Sequence, residues 1–111
     1  MSAPFEGLAE LDRLVHEPAR LAILTALSVA KSADFLYLQR LTGLTKGNLS
    51  SHLAKLESAE LVEIEKEFVG KTPHTTVSLT KTGRAAIQRH WKRLEELRQR
   101  VAQWEPGEAT G

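Results

Sequence analysis

Apolar residues recur along this chain with two different spacings, and the change of spacing divides the chain into elements. Between Gly43 and Glu57 the leucines stand at i, i+4 and i+7, which indicates a short helix with one apolar face. Between residues 61 and 69 apolar and acidic residues alternate, which is typical of a strand with one exposed side. The same reasoning predicts helices over residues 8–15, 18–30, 33–43, 45–58 and 81–104, and strands over 61–69 and 75–80 joined by a loop at 70–74.

Several residues mark where the middle helices should begin and end. Ser32 or Asp34 can cap the third helix, whose Phe35, Leu38 and Leu41 are expected to face inward. Gly43 can end that helix in a left-handed conformation. Thr45 can then cap the fourth helix, so we expect a tight turn between the two. Pro18 suits the first turn of the second helix.

Three helices, a turn, a further helix and a hairpin predict a winged helix-turn-helix, a mainly α fold with a small β-hairpin (α+β). In this arrangement the third helix supports the fourth, and the hairpin loop, or wing, flanks it. We expect one winged-helix domain over residues 1–104, with its core at 16–84 and a C-terminal dimerisation helix at about 81–104. Residues 1–7 are expected to be a loose arm, and residues 105–111 a disordered tail.

Composition narrows the function classes mainly by exclusion. The chain has 111 residues and a net charge of only +1, so any basic surface must be local. The absence of cysteine excludes disulfides, thiol catalysis and cysteine-based metal sites. No apolar run approaches the roughly 20 residues of a membrane span, and the N-terminus lacks a signal-peptide pattern. We therefore expect a cytoplasmic protein that does not enter a membrane.

Neither catalysis nor a cofactor is expected. The four histidines are not spaced as metal ligands, either with one another or with a consistent carboxylate, and no phosphate-loop or hydrolase motif occurs. A small-molecule effector is possible, but no sequence feature indicates one.

The fourth helix carries the main functional hypothesis. Opposite its leucines, its side chains are short and polar apart from two lysines, which suits a helix that lies close against the major groove of DNA. Gly47 costs such a helix about 1 kcal/mol relative to alanine, which close backbone approach to DNA would offset. An ordinary exposed polar face explains this run alone equally well. The candidate DNA contacts here are Thr45, Lys46, Gly47, Asn48, Ser50, Ser51 and Lys55.

The wing supplies a second set of candidates. Lys71 and His74 could reach phosphate or the minor groove, with Thr72 assisting and Pro73 holding the loop, although a surface hairpin with incidental charge is the alternative. The first strand is expected to place Val62, Ile64 and Phe68 inward. Its opposite face must point away from DNA, because it carries Glu63, Glu65 and Glu67.

The sequence leaves the roles of two residues, Arg84 and His52, open. Arg84 opposes the dipole at the start of the last helix, so a DNA phosphate, a carboxylate or an internal salt bridge would explain it. His52 is either a phosphate contact or a half-buried residue that hydrogen-bonds within the fold.

The last helix carries a longer apolar stripe than one small domain can cover. Pairing with a second chain, together with the N-terminal helix, is favoured over folding back on the first helix of the same chain. The candidate dimerisation residues are Leu8, Leu11, Trp91, Leu94, Leu97, Val101 and Trp104.

Four stretches together resemble the small winged-helix DNA-binding regulators of the MarR and ArsR groups. They are ADF at 33–35, LTGLTKGNLSSHLAKLE at 41–57, LVEIEKEFVGKTPHT at 61–75 and LTKTGR at 79–84, and the resemblance covers about residues 16–90. It implies a homodimer that binds double-stranded DNA at a roughly palindromic operator, usually as a transcriptional repressor.

The chain departs from that pattern at two positions. Glu60 stands where the group often has a glycine in a left-handed turn, and His74 stands where it often has arginine. A winged-helix module for protein interaction, without DNA binding, is the alternative function, supported by the low net charge and the acidic strand.

Overall fold

The computed structural model describes residues 5–9 and 11–107, and its elements follow the order of a winged helix-turn-helix. Three antiparallel strands form one sheet in the order β1-β3-β2. The fold class predicted from the sequence is confirmed. In chain order the elements are α1 (Glu6–Ala9), α2 (Pro18–Ser28), β1 (Ala33–Asp34), α3 (Phe35–Thr42), α4 (Lys46–Ser58), β2 (Val62–Val69), β3 (Thr72–Leu79) and α5 (Lys81–Ala102).

The ends of α3 and α4 lie where the sequence predicted them. Asp34, rather than Ser32, caps α3, and its carboxylate accepts the backbone N–H of Tyr37 at 2.7 Å. Gly43 ends α3 in the left-handed region, with φ at 70°. Thr45 caps α4 with its side-chain oxygen. The turn between the two helices is therefore set by local residues.

The core forms around α2, which contacts α3, α4, α5 and β3. Helix α3 contributes Leu38, which is fully buried, while Phe35 is half-buried. The prediction that Leu41 faces inward is wrong, since 52% of it is exposed. The buried side of α3 passes through Phe35, Leu38 and the half-buried Thr42 instead. The deepest apolar side chains are Val15, Ile23, Leu24, Leu27, Leu38, Leu49, Leu56, Val77 and Ile87.

The N-terminal segment differs from the prediction. Helix α1 ends at Ala9, and residues 11–17 form turns instead of continuing a helix to Val15. The carboxylate of Asp12 accepts the N–H groups of Leu14 and Val15, at 2.9 and 3.4 Å, and such local bonds compete with helical ones. The loose arm predicted at 1–7 is wrong for residues 6 and 7, which are helical. Residues 1–4, residue 10 and, in the predicted tail, 108–111 lie outside the described residues, while 105–107 lack regular structure.

Two histidines that are 74 positions apart in the sequence join the N-terminal segment to α5. The Nδ1 atom of His16 lies 3.0 Å from Nε2 of His90, so one ring donates a proton to the other. His90 is buried, with 5% exposed. Burial lowers the pKa of His90, and the neighbouring His16 lowers it further, while Asp12 acts in the opposite direction.

We expect the stability of the fold to decrease as pH falls through about 6.5, the ordinary histidine value. Below that pH the unfolded chain binds a proton at His90 more readily than the folded chain does, so protonation favours unfolding. Urea denaturation at pH 7, 6 and 5 measures this dependence. His90→Gln, which keeps a polar group without the titration, should show a shallower decline. An equal decline in the variant and the original protein would contradict the role of His90.

The wing is a longer and tighter ribbon than predicted. The strands pair from Val62 with Leu79 out to Val69 with Thr72, which leaves only residues 70 and 71 in the turn. The predicted loop at 70–74 is therefore wrong, and its last three residues belong to β3. Glycine at the first position of a two-residue turn, with φ at 66°, is typical of such hairpins.

Two features of the sheet were missed or misplaced. The two-residue strand β1 pairs with β3 through Ala33 and Val77, and it is too short to give a sequence pattern. Phe68, predicted to face inward, is 74% exposed because the ribbon continues beyond the core that buries Val62.

The chain leaves α4 through a strained position. Glu60 has φ at 61°, as the comparison with glycine at this position predicted, and it is the only non-glycine residue with positive φ among the described residues. Its carbonyl oxygen accepts the hydroxyl of Thr80 at 2.7 Å, and the carbonyl of Leu61 accepts the backbone N–H of Thr80 at 3.1 Å. These two bonds join the end of α4 to the start of α5 and hold the turn in place.

We expect Glu60→Gly to raise the free energy of unfolding by roughly 0.5–1 kcal/mol, because glycine adopts this conformation without steric strain. The backbone carbonyl that Thr80 needs is retained. Glu60→Ala is the matched control, since it removes the same carboxylate but keeps Cβ and should give no gain. Denaturant melts of both variants measure the difference. An equal gain in both would assign the effect to the carboxylate rather than to the backbone.

Candidate nucleic-acid interface

A concave groove of about 780 Å³ lies between α3, α4 and the wing. One wall is formed by the side of α4 that carries Lys46, Ser50 and Glu57, and the other by the part of the wing that carries Lys66 and Thr75. We call this space the wing groove. Because Glu57 would repel phosphate, the end of the groove near Lys46 is the part suited to DNA.

Helix α4 turns its leucines into the core and all of its predicted contact residues outward. Leu49, Leu53 and Leu56 are buried. A Cβ atom added at Gly47 would meet no other atom of the chain within 4 Å. The fold therefore does not require glycine there, although glycine weakens the helix. The exposed candidates are Thr45, Lys46, Gly47, Asn48, Ser50, Ser51 and Lys55.

His52 borders the exposed face on the side away from the wing groove and belongs to an internal cluster. Its Nδ1 atom lies 3.3 Å from the guanidinium of Arg20 and 3.7 Å from the carboxylate of Glu17. Arg20 also donates to the carbonyl of Leu14 at 2.7 Å, which ties the cluster to the N-terminal segment. Of the two readings of His52, the structure supports the half-buried residue bonded within the fold.

The same cluster lowers the pKa of Glu17. Burial acts to raise this pKa, but the backbone N–H groups of Arg20 and Ala19 and the charges of His52 and Arg20 together lower it. Glu17 also caps α2 by accepting the backbone N–H of Arg20 at 2.9 Å. The carboxylate therefore anchors the start of α2.

Strand β2 presents two unlike faces. Ile64 and Lys66 border the wing groove. Because successive side chains of a strand alternate, Glu63, Glu65 and Glu67 lie on the opposite face. The acidic face is thus directed away from the groove, as binding to DNA requires.

Lys66 is a candidate contact that the sequence analysis missed. The alternation that placed Ile64 on the inner face of β2 also places Lys66 there, so the signal was present in the pattern. His74, in contrast, was predicted as a DNA contact, but its side chain lies on the other face of the ribbon. It borders the groove, but its cross-strand partner is Glu67, and such partners share a face of the ribbon. Its imidazole thus lies with the acidic side chains.

The remaining candidates of the wing and α5 lie in different settings. Lys71 occupies the tip of the hairpin and Thr72 follows it, and both are exposed. Arg84 is half-buried, and its guanidinium donates to the carbonyl oxygen of Ser28 at 3.3 Å. This bond, at the C-terminal end of α2, gives Arg84 a partner within the fold that is neither a carboxylate nor a phosphate.

The predicted dimerisation residues differ in how far the single chain buries them. The N-terminal segment does fold back, since Phe5 packs edge-on against Trp104 with ring centroids 5.3 Å apart, and Leu97 lies against Gly7. Leu11 and Leu97 are buried and Leu94 is half-buried within one chain, whereas a second group stays exposed. The exposed members are Leu8, Trp91, Val101 and Trp104.

Known proteins share this combination of an exposed α4, a wing and a hydrogen-bonded connection between α4 and α5. Residues 19–98 match the model of a family described as "Winged helix DNA-binding domain". This chain belongs to that family. This chain is 29% identical to an uncharacterized protein of Methanocaldococcus jannaschii over 89 residues. The match covers 80% of this chain and 97% of that protein.

Solved structures agree with this assignment. A transcriptional regulator homologue from Pyrococcus horikoshii OT3 is 31% identical with a TM-score of 0.79, and the match covers 86% of this chain and 97% of that one. A mutant MarR from E. coli shares the fold at 23% identity with a TM-score of 0.71, covering 89% of this chain and 71% of that one.

This chain is therefore a winged-helix DNA-binding transcriptional regulator. The resemblance noted from the sequence is therefore confirmed for the winged-helix DNA-binding family, and the fold is shared with a MarR protein. Each helix within the described residues is too short or too polar to span a lipid bilayer.

Proposed function

We propose that this regulator binds a roughly palindromic operator as a homodimer and represses transcription there. Each subunit inserts the N-terminal half of α4, residues 45–51, into a major groove, with Lys55 as an outlying contact. Lys66 and Lys71 of the wing reach the flanking backbone. The observation that carries this proposal is the exposed, low-bulk face of α4 lying beside a wing whose acidic side chains point away from it.

The exposed apolar residues of α5 support the dimer. The helix has 22 residues and is therefore roughly 33 Å long. Trp91 and Trp104 stay 47% and 57% exposed after the N-terminal segment has packed against the helix. Exposed apolar residues grouped in this way are typical of an interface. Pairing through α5 would place two copies of α4 about one turn of DNA apart.

Binding to duplexes selected from a random pool tests the DNA part of the proposal, with fluorescence anisotropy as the readout. We expect enrichment of a sequence with two-fold symmetry, and affinity that falls steeply with salt because phosphate contacts release counterions. Light scattering tests the assembly, for which we expect twice the 12.3 kDa chain mass. Transcription in vitro from a promoter that carries the selected site should decrease when the protein is added.

Each part can fail separately. A mass of one chain would contradict the homodimer, and enrichment of a single half-site would contradict the palindrome. Increased transcription would contradict repression. No duplex binding at low salt would favour the interaction-module alternative, which the acidic face of β2 supports.

A further inference from the structure

An aromatic side chain is exposed near the tip of the wing. Phe68 is 74% exposed, and Val69 beside it is 63% exposed, because no element within the described residues covers either of them. A hairpin tip needs no large apolar residues for its own stability, because a two-residue turn with Gly70 already fixes it. Phe68 therefore suits contact with something outside the chain.

The face on which Phe68 lies indicates what that contact is. Phe68 follows Ile64 and Lys66 at two-residue intervals, so the three side chains share the face of the ribbon that borders the wing groove. Its cross-strand partner is Pro73, which also borders the groove. The glutamates of β2 occupy the opposite face. Phe68 thus shares its face with Lys66 and is directed to the same side as the exposed face of α4.

The wing has the reach and the shape to meet the minor groove. Phe68 lies four residues beyond Ile64, the last half-buried residue of β2, so it projects roughly 13 Å further along the strand. The minor groove is about 6 Å wide, and two strands with their side chains exceed that width. Only the tip could enter an undistorted groove, and deeper entry requires that the groove be widened.

We propose that Phe68 enters the minor groove beside the α4 site and wedges between two base pairs, bending the DNA toward the major groove. Lys66 and Lys71 hold the phosphates on either side. Apolar wedges of this kind open minor grooves by partial unstacking. Flexible base steps such as TA and CA unstack most readily. The regulator would therefore prefer these steps at the position that the wing contacts, although no side chain reads those bases directly. This inference rests on the proposed DNA binding.

A bending assay tests the wedge on the intact protein. We expect energy transfer between dyes at the two ends of a selected duplex to report a bend of roughly 20–90° on binding. Phe68→Ser should abolish most of the bend and weaken binding roughly tenfold, because the stacking contact is lost. Val69→Ser is the matched control, since it removes an exposed apolar side chain from the opposite face and should change neither quantity. Thermal melts should show both variants as folded as the original protein.

The outcomes separate the wedge from DNA binding itself. A straight duplex in the complex, or a Phe68→Ser variant that bends and binds DNA like the original, would overturn the wedge and leave the proposed function intact. No duplex binding by the original protein would overturn both. If Phe68→Ser alters the mass in light scattering and not the bend, the tip is a contact between protein chains, and the wedge is wrong.

Discussion

Gly83→Ala should destabilise the protein by at least about 3 kcal/mol, or prevent it from folding. A Cβ atom at this position would lie 1.9 Å from the carbonyl oxygen of Leu61 and 2.8 Å from its carbonyl carbon. That carbonyl accepts the backbone N–H of Thr80, so it cannot move without breaking the junction between α4 and α5. The clash is with backbone rather than with a flexible side chain, so no change of rotamer relieves it.

The matched control for this substitution lies in α4. Gly47→Ala makes the same change within a helix where nothing stands within 4 Å of the new atom, and it should stabilise the fold by about 1 kcal/mol. Urea denaturation of the two variants compares a helical glycine that the fold requires with one that it does not. A loss of less than about 1 kcal/mol in Gly83→Ala would contradict this prediction, because it would show that the backbone of Leu61 can move away from the new Cβ atom.

Charge reversal on both walls of the wing groove should abolish most DNA binding. Lys46→Glu with Lys66→Glu replaces two cations that face the same space by anions, and we expect at least a roughly hundredfold loss of affinity at low salt. The slope of log affinity against log salt should fall by about two, since two phosphate contacts are lost. The fold should persist, because both residues are exposed and Glu is favourable in the first turn of α4.

A second pair of exposed lysines provides the control for net charge. Lys81→Glu with Lys92→Glu makes the same total change on α5, which begins at the end of β3 opposite the wing tip. We expect this variant to lose far less affinity and to keep most of the salt slope. Equal losses in the two double variants would mean that overall charge, rather than the groove, governs binding.

Sequence reasoning succeeded where residues act on their immediate neighbours. Asp34, Gly43 and Thr45 cap helices through bonds within a few residues, and the leucines of α4 fix its buried face by spacing alone. The strain at Glu60 was also predictable, because a left-handed turn excludes most side chains whatever surrounds it. These features gave the helix, turn and helix at the centre of the fold and the residues α4 exposes.

Tertiary structure decided what depends on partners distant in the sequence. The pairing of His16 with His90 and the bond from Arg84 to Ser28 each join segments far apart in the chain. The pattern of β2 could not show where the core ends, so Phe68 was placed inward although the ribbon continues beyond its cover. By itself, the sequence determined which residues α4 presents, because helical spacing is a local property. Only the fold decided how far the wing extends beyond the core and which of its residues border α4, because the extent of the core depends on the whole chain.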